Sequence, residues 1–154
     1  MRSGQNTGTS NARDKLVGVV VVAHSNLAAE LVRTAKSVLG DFPSVAAVSV
    51  EGTETLDKTK KRILKAIKKV DHGAGTIILT DLMGGTATNL SLEATHPGGA
   101  QVLAGVNLPI LIKLGTLRKG DPRTLLRTLR LYGQRQIIEA SSALERQLAR
   151  RRAR

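Results

Sequence analysis

The sequence predicts an α/β protein with an open, mainly parallel four-stranded sheet and helices on both faces. Four short runs rich in Val and Ile alternate with segments of helical periodicity, and this alternation is typical of a parallel sheet with helical connections. The first and third runs are almost continuously apolar, as in strands that are buried on both faces. Because crossover connections are right-handed, few topologies remain, and we expect the strand order 2-1-3-4.

The predicted elements follow from these patterns in chain order. The strands cover residues 16–22, 45–50, 76–80 and 101–106, and the helices cover residues 26–39, 53–70, 86–94 and a segment from Asp121 to about Gly133. Gly40 is expected to end the first helix. Thr86 is expected to cap the third helix through its side chain. Asp121 followed by Pro122 is a favourable start for the fourth helix.

Length and composition predict one domain with loose ends. The chain has 154 residues, enough for a single core without disulfides. We expect a disordered leader over residues 1–14, an α/β domain over residues 15–145 and a basic, disordered tail over residues 146–154. The chain has no cysteine, which excludes disulfides, thiolate metal sites and a cysteine nucleophile.

The net charge of +12 raises the question of nucleic-acid binding. Seven Lys and Arg residues lie within 58–69, where they form the polar face of one predicted helix, and five Arg lie in the last nine residues. With one Phe, one Tyr and no Trp, the chain offers no aromatic platform for stacking bases. We therefore expect only weak, non-specific polyanion binding by the tail, as a side property.

The apolar runs are too short for a membrane span, which needs about 18 residues. Residues 16–23 follow basic residues and end in a small residue, as a signal peptide does. This run is also the best strand of the predicted sheet, so its removal would strip the fold of a central element. We expect a cytoplasmic protein without membrane insertion.

His24 and Asp81 are the candidate catalytic residues. In open α/β sheets, ligands bind beyond the carboxyl ends of the strands, where the strand order reverses. The first strand ends at His24 and the third at Asp81, so the two side chains are expected to face each other. A carboxylate that accepts a hydrogen bond from one ring nitrogen fixes the tautomer and leaves the other nitrogen as a nucleophile or base.

Two predicted helix starts flank this pair and offer phosphate-binding groups. Backbone N–H groups at Ser25 and Asn26 open the first helix, and Gly85 and Thr86 open the third. Helix N-termini present unpaired N–H groups and a positive dipole end to anions. Neither a P-loop lysine pattern nor a metal-ligand cluster is found in the sequence, so we expect no metal and no cofactor. These parts suit a group that takes up a phosphoryl and passes it on.

Direct phosphorylation of Asp81 is the competing interpretation. Receiver domains carry an acceptor aspartate at the end of their third strand, but they also need an acidic pair after the first strand to hold magnesium. The corresponding stretch here is "VAHSN". The missing acids argue against this interpretation.

Three segments resemble the mannose-type IIA proteins of the bacterial phosphoenolpyruvate-dependent sugar phosphotransferase system. They are "VVVVAHSNLAAELVRTAKSVLG", "TIILTDLMGGTATNLSLE" and "LAGVNLPILIKL". The resemblance implies a phosphotransferase component in which His24 is phosphorylated, Asp81 orients it and Thr86 supplies a hydroxyl. It also implies HPr as phosphoryl donor, a IIB protein as acceptor, and a homodimer that exchanges a C-terminal antiparallel strand, for which residues 136–140 are the candidate.

The chain departs from the family pattern at several positions. Met83 stands where an aromatic residue is common, Thr88 where the family often has Phe, and Lys113 where many members are acidic. These departures put the acceptor and the sugar in doubt. A regulatory module, in which the same phosphohistidine controls binding to a partner without sugar transport, is the alternative function.

Overall fold

The computed structural model describes residues 15–95 and 99–152. The expected leader at 1–14 therefore lies outside the described residues. The strands are β1 (Gly18–His24), β2 (Val45–Val50), β3 (Thr76–Thr80) and β4 (Gln101–Ala104). The helices are α1 (Leu27–Leu39), α2 (Leu56–Val70), α3 (Thr86–Ala94), α4 (Leu108–Leu114), α5 (Pro122–Arg135) and α6 (Ala140–Arg152).

The four strands form one parallel sheet in the order β2-β1-β3-β4. The predicted fold class and strand order are thus confirmed. In β1, residues 19–23 are fully buried, because helices cover both faces of the sheet. Val19 and Val21 pack into one core with α1, α4 and α5, and Val20 and Val22 pack into the other with α2 and α3. The side-chain period of two in a strand sends successive valines to opposite cores.

Several predicted boundaries need correction. α2 begins at Leu56 rather than residue 53, because Glu54 holds the preceding loop through hydrogen bonds from Thr59 and Arg62. β4 ends before Gly105, which has a φ of 86° and turns the chain out of the strand. The short helix α4, absent from the predicted set, begins at the N-cap Asn107, whose side chain accepts a hydrogen bond from the backbone N–H of Ile110.

Gly133 does not end the fourth predicted helix. α5 continues to Arg135, and Gly133 is buried within it. A Cβ on Gly133 would lie 2.6 Å from Cδ1 of Ile110, so the glycine permits close packing between α4 and α5. The start of α5 is as predicted, since Asp121 accepts a hydrogen bond from the backbone N–H of Thr124 and Pro122 opens the helix.

At the C-terminus, the single chain does not test the expected strand exchange, and it shows a helix where a disordered tail was expected. Residues 136–139 connect α5 to α6 and form no strand in this single chain, since a strand needs a hydrogen-bonding neighbour that one chain does not place there. Residues 146–152, expected to be disordered, continue α6. Ala, Leu, Gln and Arg fill this segment, and all favour helix. α6 has no buried residue in the described chain.

A buried arginine stabilises the end of the sheet at which β1 and β2 begin, opposite the end that carries His24. Arg118 is only 5% exposed. Its guanidinium donates hydrogen bonds to the backbone carbonyls of Val17, Pro43 and Ser44, which lie just before β1 and β2. Burial lowers the pKa of Arg118 to about 10, so the side chain stays charged at neutral pH. The starts of the two strands are thereby tied together.

Candidate functional site

The fold brings His24 and Asp81 together at the carboxyl edge of the sheet. His24 is the last residue of β1, and Asp81 follows β3 directly. Val22 pairs with Thr80 across these two strands, so the residue after β3 lies beside the end of β1. The predicted juxtaposition is therefore found, although the two residues are 57 positions apart in the chain.

Three hydrogen bonds hold the Asp81 carboxylate. Its Oδ2 accepts the backbone N–H of His24 at 2.9 Å and lies 2.8 Å from the ring Nδ1 of the same residue. Its Oδ1 accepts the backbone N–H of Leu82 at 2.9 Å. Because an ionised carboxylate only accepts hydrogen bonds, Nδ1 carries the ring proton in this arrangement. Nε2 then has a free lone pair.

The environment of Asp81 keeps it ionised. Partial burial raises the pKa of Asp81, but the hydrogen bonds from the His24 backbone, the His24 ring and the Leu82 backbone together outweigh burial and lower the pKa below its usual value. The Asp81 side chain is 10% exposed and that of His24 is 43% exposed. The orienting carboxylate is thus shielded, whereas the ring it holds reaches solvent.

Ser25 differs from its predicted role. Its backbone N–H donates to the carbonyl of Val50 at 3.1 Å, because the pairing of β1 with β2 continues one residue beyond His24. This N–H is therefore already occupied and cannot also bind an anion. Ser25 has a φ of 51°, a left-handed conformation that turns the chain from β1 into α1, and its side chain is exposed.

Asn26, predicted as the first residue of the first helix, is the N-cap of α1. Its carbonyl accepts the backbone N–H of Glu30 at 3.0 Å, which closes the first turn of the helix. Its side chain makes no capping hydrogen bond. The N–H groups of the first helical turn have no acceptor within the helix, so α1 offers donors at its start, three residues after His24 in the chain.

The start of α3 lies against the ring of His24. Gly85 is the N-cap of α3, and a Cβ on it would lie 3.2 Å from Cε1 of His24, the ring carbon between the two nitrogens. Thr86 does not cap the helix as predicted. It is the first helical residue, partly buried, because the extended backbone conformation of a cap falls on Gly85. Gly85 is nevertheless brought to His24, and Thr86 follows it directly in the chain.

Sequence reasoning missed a pair of buried hydroxyls behind the site. Oγ1 of Thr80 and Oγ1 of Thr88 are 2.6 Å apart, and Oγ1 of Thr88 donates to the carbonyl of Leu82 at 2.7 Å. Thr80 and Thr88 are 0% and 1% exposed. The signal in the sequence is a threonine that ends an otherwise apolar strand, followed by a second threonine eight positions later.

Exposed apolar side chains in the segments that follow His24 and Asp81 were also not predicted. Leu27, Leu82 and Met83 are 45%, 50% and 76% exposed. Leu27 opens α1, and the other two follow Asp81. We call these three residues the apolar rim. Exposed apolar groups clustered beside a reactive side chain are typical of a surface that contacts another protein.

Metal-binding clusters and membrane-spanning helices are absent from the described residues. Among residues 15–95 and 99–152, no group of three or more His, Cys, Asp or Glu side chains is arranged to hold a metal ion. None of the helices in these ranges combines the length and apolar character that crossing a membrane requires.

A family model described as "PTS system fructose IIA component" matches residues 18–123, which is more than half of the chain. The chain belongs to this family. Membership confirms the resemblance drawn from the sequence and supports a role in the sugar phosphotransferase system. The match includes His24, Asp81, Gly85 and Thr86.

Two curated relatives and one solved structure illustrate this membership. The mannose-specific EIIAB component of Escherichia coli K12 is 26% identical over 110 residues, which cover 69% of this chain and 33% of that protein. The fructose-specific EIIA component of Bacillus subtilis is 24% identical over 133 residues, covering 85% and 91%. The mannose/sorbose-specific IIA subunit of Enterococcus faecalis has a TM-score of 0.73 at 23% identity, with 80% and 94% covered. This last likeness shows the fold, and the chain matches only about a third of the E. coli protein.

Proposed function

We propose that this IIA protein is a histidine phosphocarrier, which accepts a phosphoryl group from phospho-HPr on His24 and passes it to a IIB protein for sugar uptake. The observation that carries the proposal is the 2.8 Å contact between Nδ1 of His24 and Oδ2 of Asp81. It assigns the proton to Nδ1 and leaves Nε2 as the nucleophile. Both curated relatives described above are named as components of a PTS system, which supports a role in the phosphotransferase system.

The transfer step balances without a further reactant. The Nε2 lone pair of neutral His24 attacks the phosphorus of phospho-HPr, and the bond between phosphorus and the HPr nitrogen breaks. The HPr nitrogen keeps that electron pair. The phosphorylated ring of His24 becomes cationic with its Nδ1 proton in place, and the ionised Asp81 stabilises that charge. Transfer to the IIB protein repeats the step with His24 as the leaving group.

Donors around Nε2 can bind the phosphoryl oxygens. We assign this role to the first-turn N–H groups of α1 after Asn26, to those of α3 after Gly85, and to the hydroxyl of Thr86. Two helix N-termini that point at one site stabilise negative charge through their dipoles. With the donors held by the fold, catalysis consists of positioning and electrostatic stabilisation.

The exposed apolar rim favours a protein, rather than a small molecule, as the binding partner at this site. A phosphoryl donor that is itself a protein must cover His24, and Leu27, Leu82 and Met83 offer it an apolar contact around the ring. Interfaces of this kind combine an apolar centre with a polar edge. HPr and a IIB protein would use the same rim in turn.

We also propose that the chain forms a homodimer by exchange of residues 136–140. β4 is an edge strand of the described sheet. Ile137 and Ile138 beside it are 85% and 60% exposed, and Ile137 lines a cavity with Leu103 and Ala104 of β4. Residues 136–140 of each protomer would pair with β4 of the other protomer, which would bury both isoleucines. Light scattering should give a dimer for the wild type and a monomer for Ile138→Asp. The control Leu131→Asp, at an exposed position of α5, should remain dimeric.

The phosphocarrier proposal is tested by incubation with phosphoenolpyruvate, enzyme I and HPr, followed by intact mass measurement. The expected result is an acid-labile gain of one phosphoryl group, which disappears in His24→Ala and when HPr is omitted. A gain that persists in His24→Ala would refute the assignment of His24. Addition of candidate IIB proteins to the purified phosphoprotein then shows whether the group is passed on.

A further inference from the structure

The structure assigns a positioning role to Thr88, a residue that touches neither His24 nor a transferred group. Thr88 lies in the first turn of α3 and is 1% exposed. Its hydroxyl bridges the last residue of β3 and the loop that follows Asp81. We infer that Thr88 fixes Leu82, and through Leu82 the orientation of the Asp81 carboxylate. The kinetic part of this inference rests on the proposed phosphocarrier function.

The direction of each hydrogen bond follows from counting protons. The Leu82 carbonyl can only accept, so Thr88 uses its single hydroxyl proton at 2.7 Å to this carbonyl. The 2.6 Å contact between Thr80 and Thr88 must then carry the proton of Thr80. The result is a directed chain from the Thr80 hydroxyl through the Thr88 hydroxyl to the Leu82 carbonyl.

Leu82 is the link between this chain and the reactive pair. Its backbone N–H donates to Oδ1 of Asp81, while its carbonyl is held by Thr88. The other carboxylate oxygen holds both the backbone and the ring of His24. If the Leu82 carbonyl lost its hydrogen bond from Thr88, the backbone of Leu82 would be less restrained. The N–H of Leu82 would then no longer be held toward Asp81. Asp81 would then be held only through Oδ2, by its two bonds to His24, and the plane of its carboxylate would be less firmly fixed.

The position of Thr88 on α3 gives the arrangement a second effect. The same helix presents its N-terminus to the His24 ring through Gly85. The Thr88 hydroxyl therefore ties the helix start to the loop that carries Asp81. The orienting carboxylate and the expected anion-binding N–H groups are therefore held in fixed positions relative to each other. A reaction that is accelerated by positioning of the reacting groups requires this.

Three variants separate positioning from simple packing. Thr88→Val keeps the shape of the side chain and removes the donor to Leu82. Thr88→Ser keeps that donor. Thr80→Val is the matched control, because it alters the same buried pair but leaves the donor from Thr88 to Leu82 in place. Each variant is first checked for folding by circular dichroism and thermal unfolding.

The first readout is the initial rate of phosphoryl uptake from phospho-HPr. We expect Thr88→Val to be slower by about 10-fold or more, and Thr88→Ser and Thr80→Val to stay within about threefold of wild type, because displacement of reacting groups by as little as about 1 Å costs up to about 100-fold. Equal slowing of Thr80→Val and Thr88→Val would overturn the inference, since it would show that packing of the pair is what matters.

The second readout does not depend on phosphorylation. Two-bond ¹H–¹⁵N correlation spectra report which nitrogen of His24 carries the proton. We expect the Nδ1–H tautomer in wild type, Thr88→Ser and Thr80→Val, and a mixture of tautomers in Thr88→Val. A single Nδ1–H tautomer in folded Thr88→Val would overturn the inference. If wild type takes up no phosphoryl group, the phosphocarrier proposal fails, and this readout still decides the role of Thr88.

The double variant Thr80→Val/Thr88→Val covers the case in which Thr88→Val does not fold. It removes both hydroxyls of the buried pair, so no hydroxyl is left without a partner, but the Leu82 carbonyl still loses its donor. We expect slow phosphoryl uptake and mixed tautomers in this variant. Wild-type behaviour in both readouts would contradict a positioning role.

Discussion

One oxygen of Asp81 controls both the backbone and the ring of His24. Oδ2 accepts the backbone N–H of His24 at 2.9 Å and lies 2.8 Å from its ring Nδ1. The two contacts tie the ring to the strand that carries it. The orientation of His24 therefore depends strongly on one carboxylate, because the side chain is 43% exposed and packing alone restrains it less.

Replacement of Asp81 by Asn is expected to slow phosphoryl uptake by roughly 10²- to 10⁴-fold. The amide has nearly the same shape but no charge, and it can turn its NH₂ group toward Nδ1, which stabilises the wrong tautomer of the ring. Initial rates with phospho-HPr measure the effect. Asp57→Asn, in the exposed first turn of α2, is the control and should react like wild type. A wild-type rate in Asp81→Asn would rule out the orienting role.

Stability should depend on pH through Asp81. Because the folded-state pKa of this carboxyl is lowered, its stabilising contribution is present above the unfolded pKa of about 4 and is lost as the pH falls through the lower folded value. Urea unfolding of wild type and Asp81→Asn between about pH 2.5 and pH 7 should show a difference in unfolding free energy that shrinks toward acid. A constant difference would contradict this assignment.

Gly85 should matter for phosphorylation more than for stability. A Cβ there would lie 3.2 Å from Cε1 of His24 and 2.8 Å from Cδ1 of Leu82, so Gly85→Ala is expected to displace the ring or the neighbouring leucine. The φ of Gly85 is −80°, which alanine adopts without strain. Initial rates of phosphoryl uptake and urea unfolding of Gly85→Ala measure the two effects.

Gly84→Ala is the matched comparison for Gly85→Ala. Gly84 has a φ of 81°, and a Cβ added to it would meet no other group within 4 Å, so alanine there is strained but touches nothing. It should cost about 1 kcal/mol of unfolding free energy and leave phosphoryl uptake closer to wild type than Gly85→Ala does. The reverse order of the two uptake rates would show that Gly85 does not act through the ring.

Arg118 should contribute to stability and not to phosphorylation. Arg118→Met keeps an apolar side chain of similar length but leaves the carbonyls of Val17, Pro43 and Ser44 without their donor. We expect a loss of about 2–3 kcal/mol in unfolding free energy, as for other buried groups that lose a charged hydrogen-bond partner. Urea unfolding measures the loss, with exposed Arg123→Met as control. Below the unfolding transition, the rate of phosphoryl uptake should be unchanged.

The sheet was predictable because its signals are local and strong. The continuous apolar runs of β1 and β3 are what burial on both faces demands, and the topology then placed His24 beside Asp81. The helix caps were less predictable. Thr86 has the chemistry of a cap, but the backbone conformation at Gly85 decides where α3 begins.

Long-range contacts account for the rest of what the sequence did not show. The N–H of Ser25 is taken by Val50, and that depends on the register between β1 and β2 rather than on residues near Ser25. The buried hydroxyls of Thr80 and Thr88 and the carbonyl ligands of Arg118 likewise depend on tertiary contacts. Propensities along the chain carry no information on such partners.

The backbone of Leu82 is restrained although its side chain lies on the surface. Its side chain is 50% exposed in the apolar rim, while its backbone N–H and carbonyl are both bonded inward, to Asp81 and Thr88. Loop residues at a contact surface commonly lose conformational freedom when a partner binds, and that loss weakens affinity. At Leu82 this loss has already occurred during folding. A protein that binds at this surface would therefore meet a backbone at Leu82 that is already ordered.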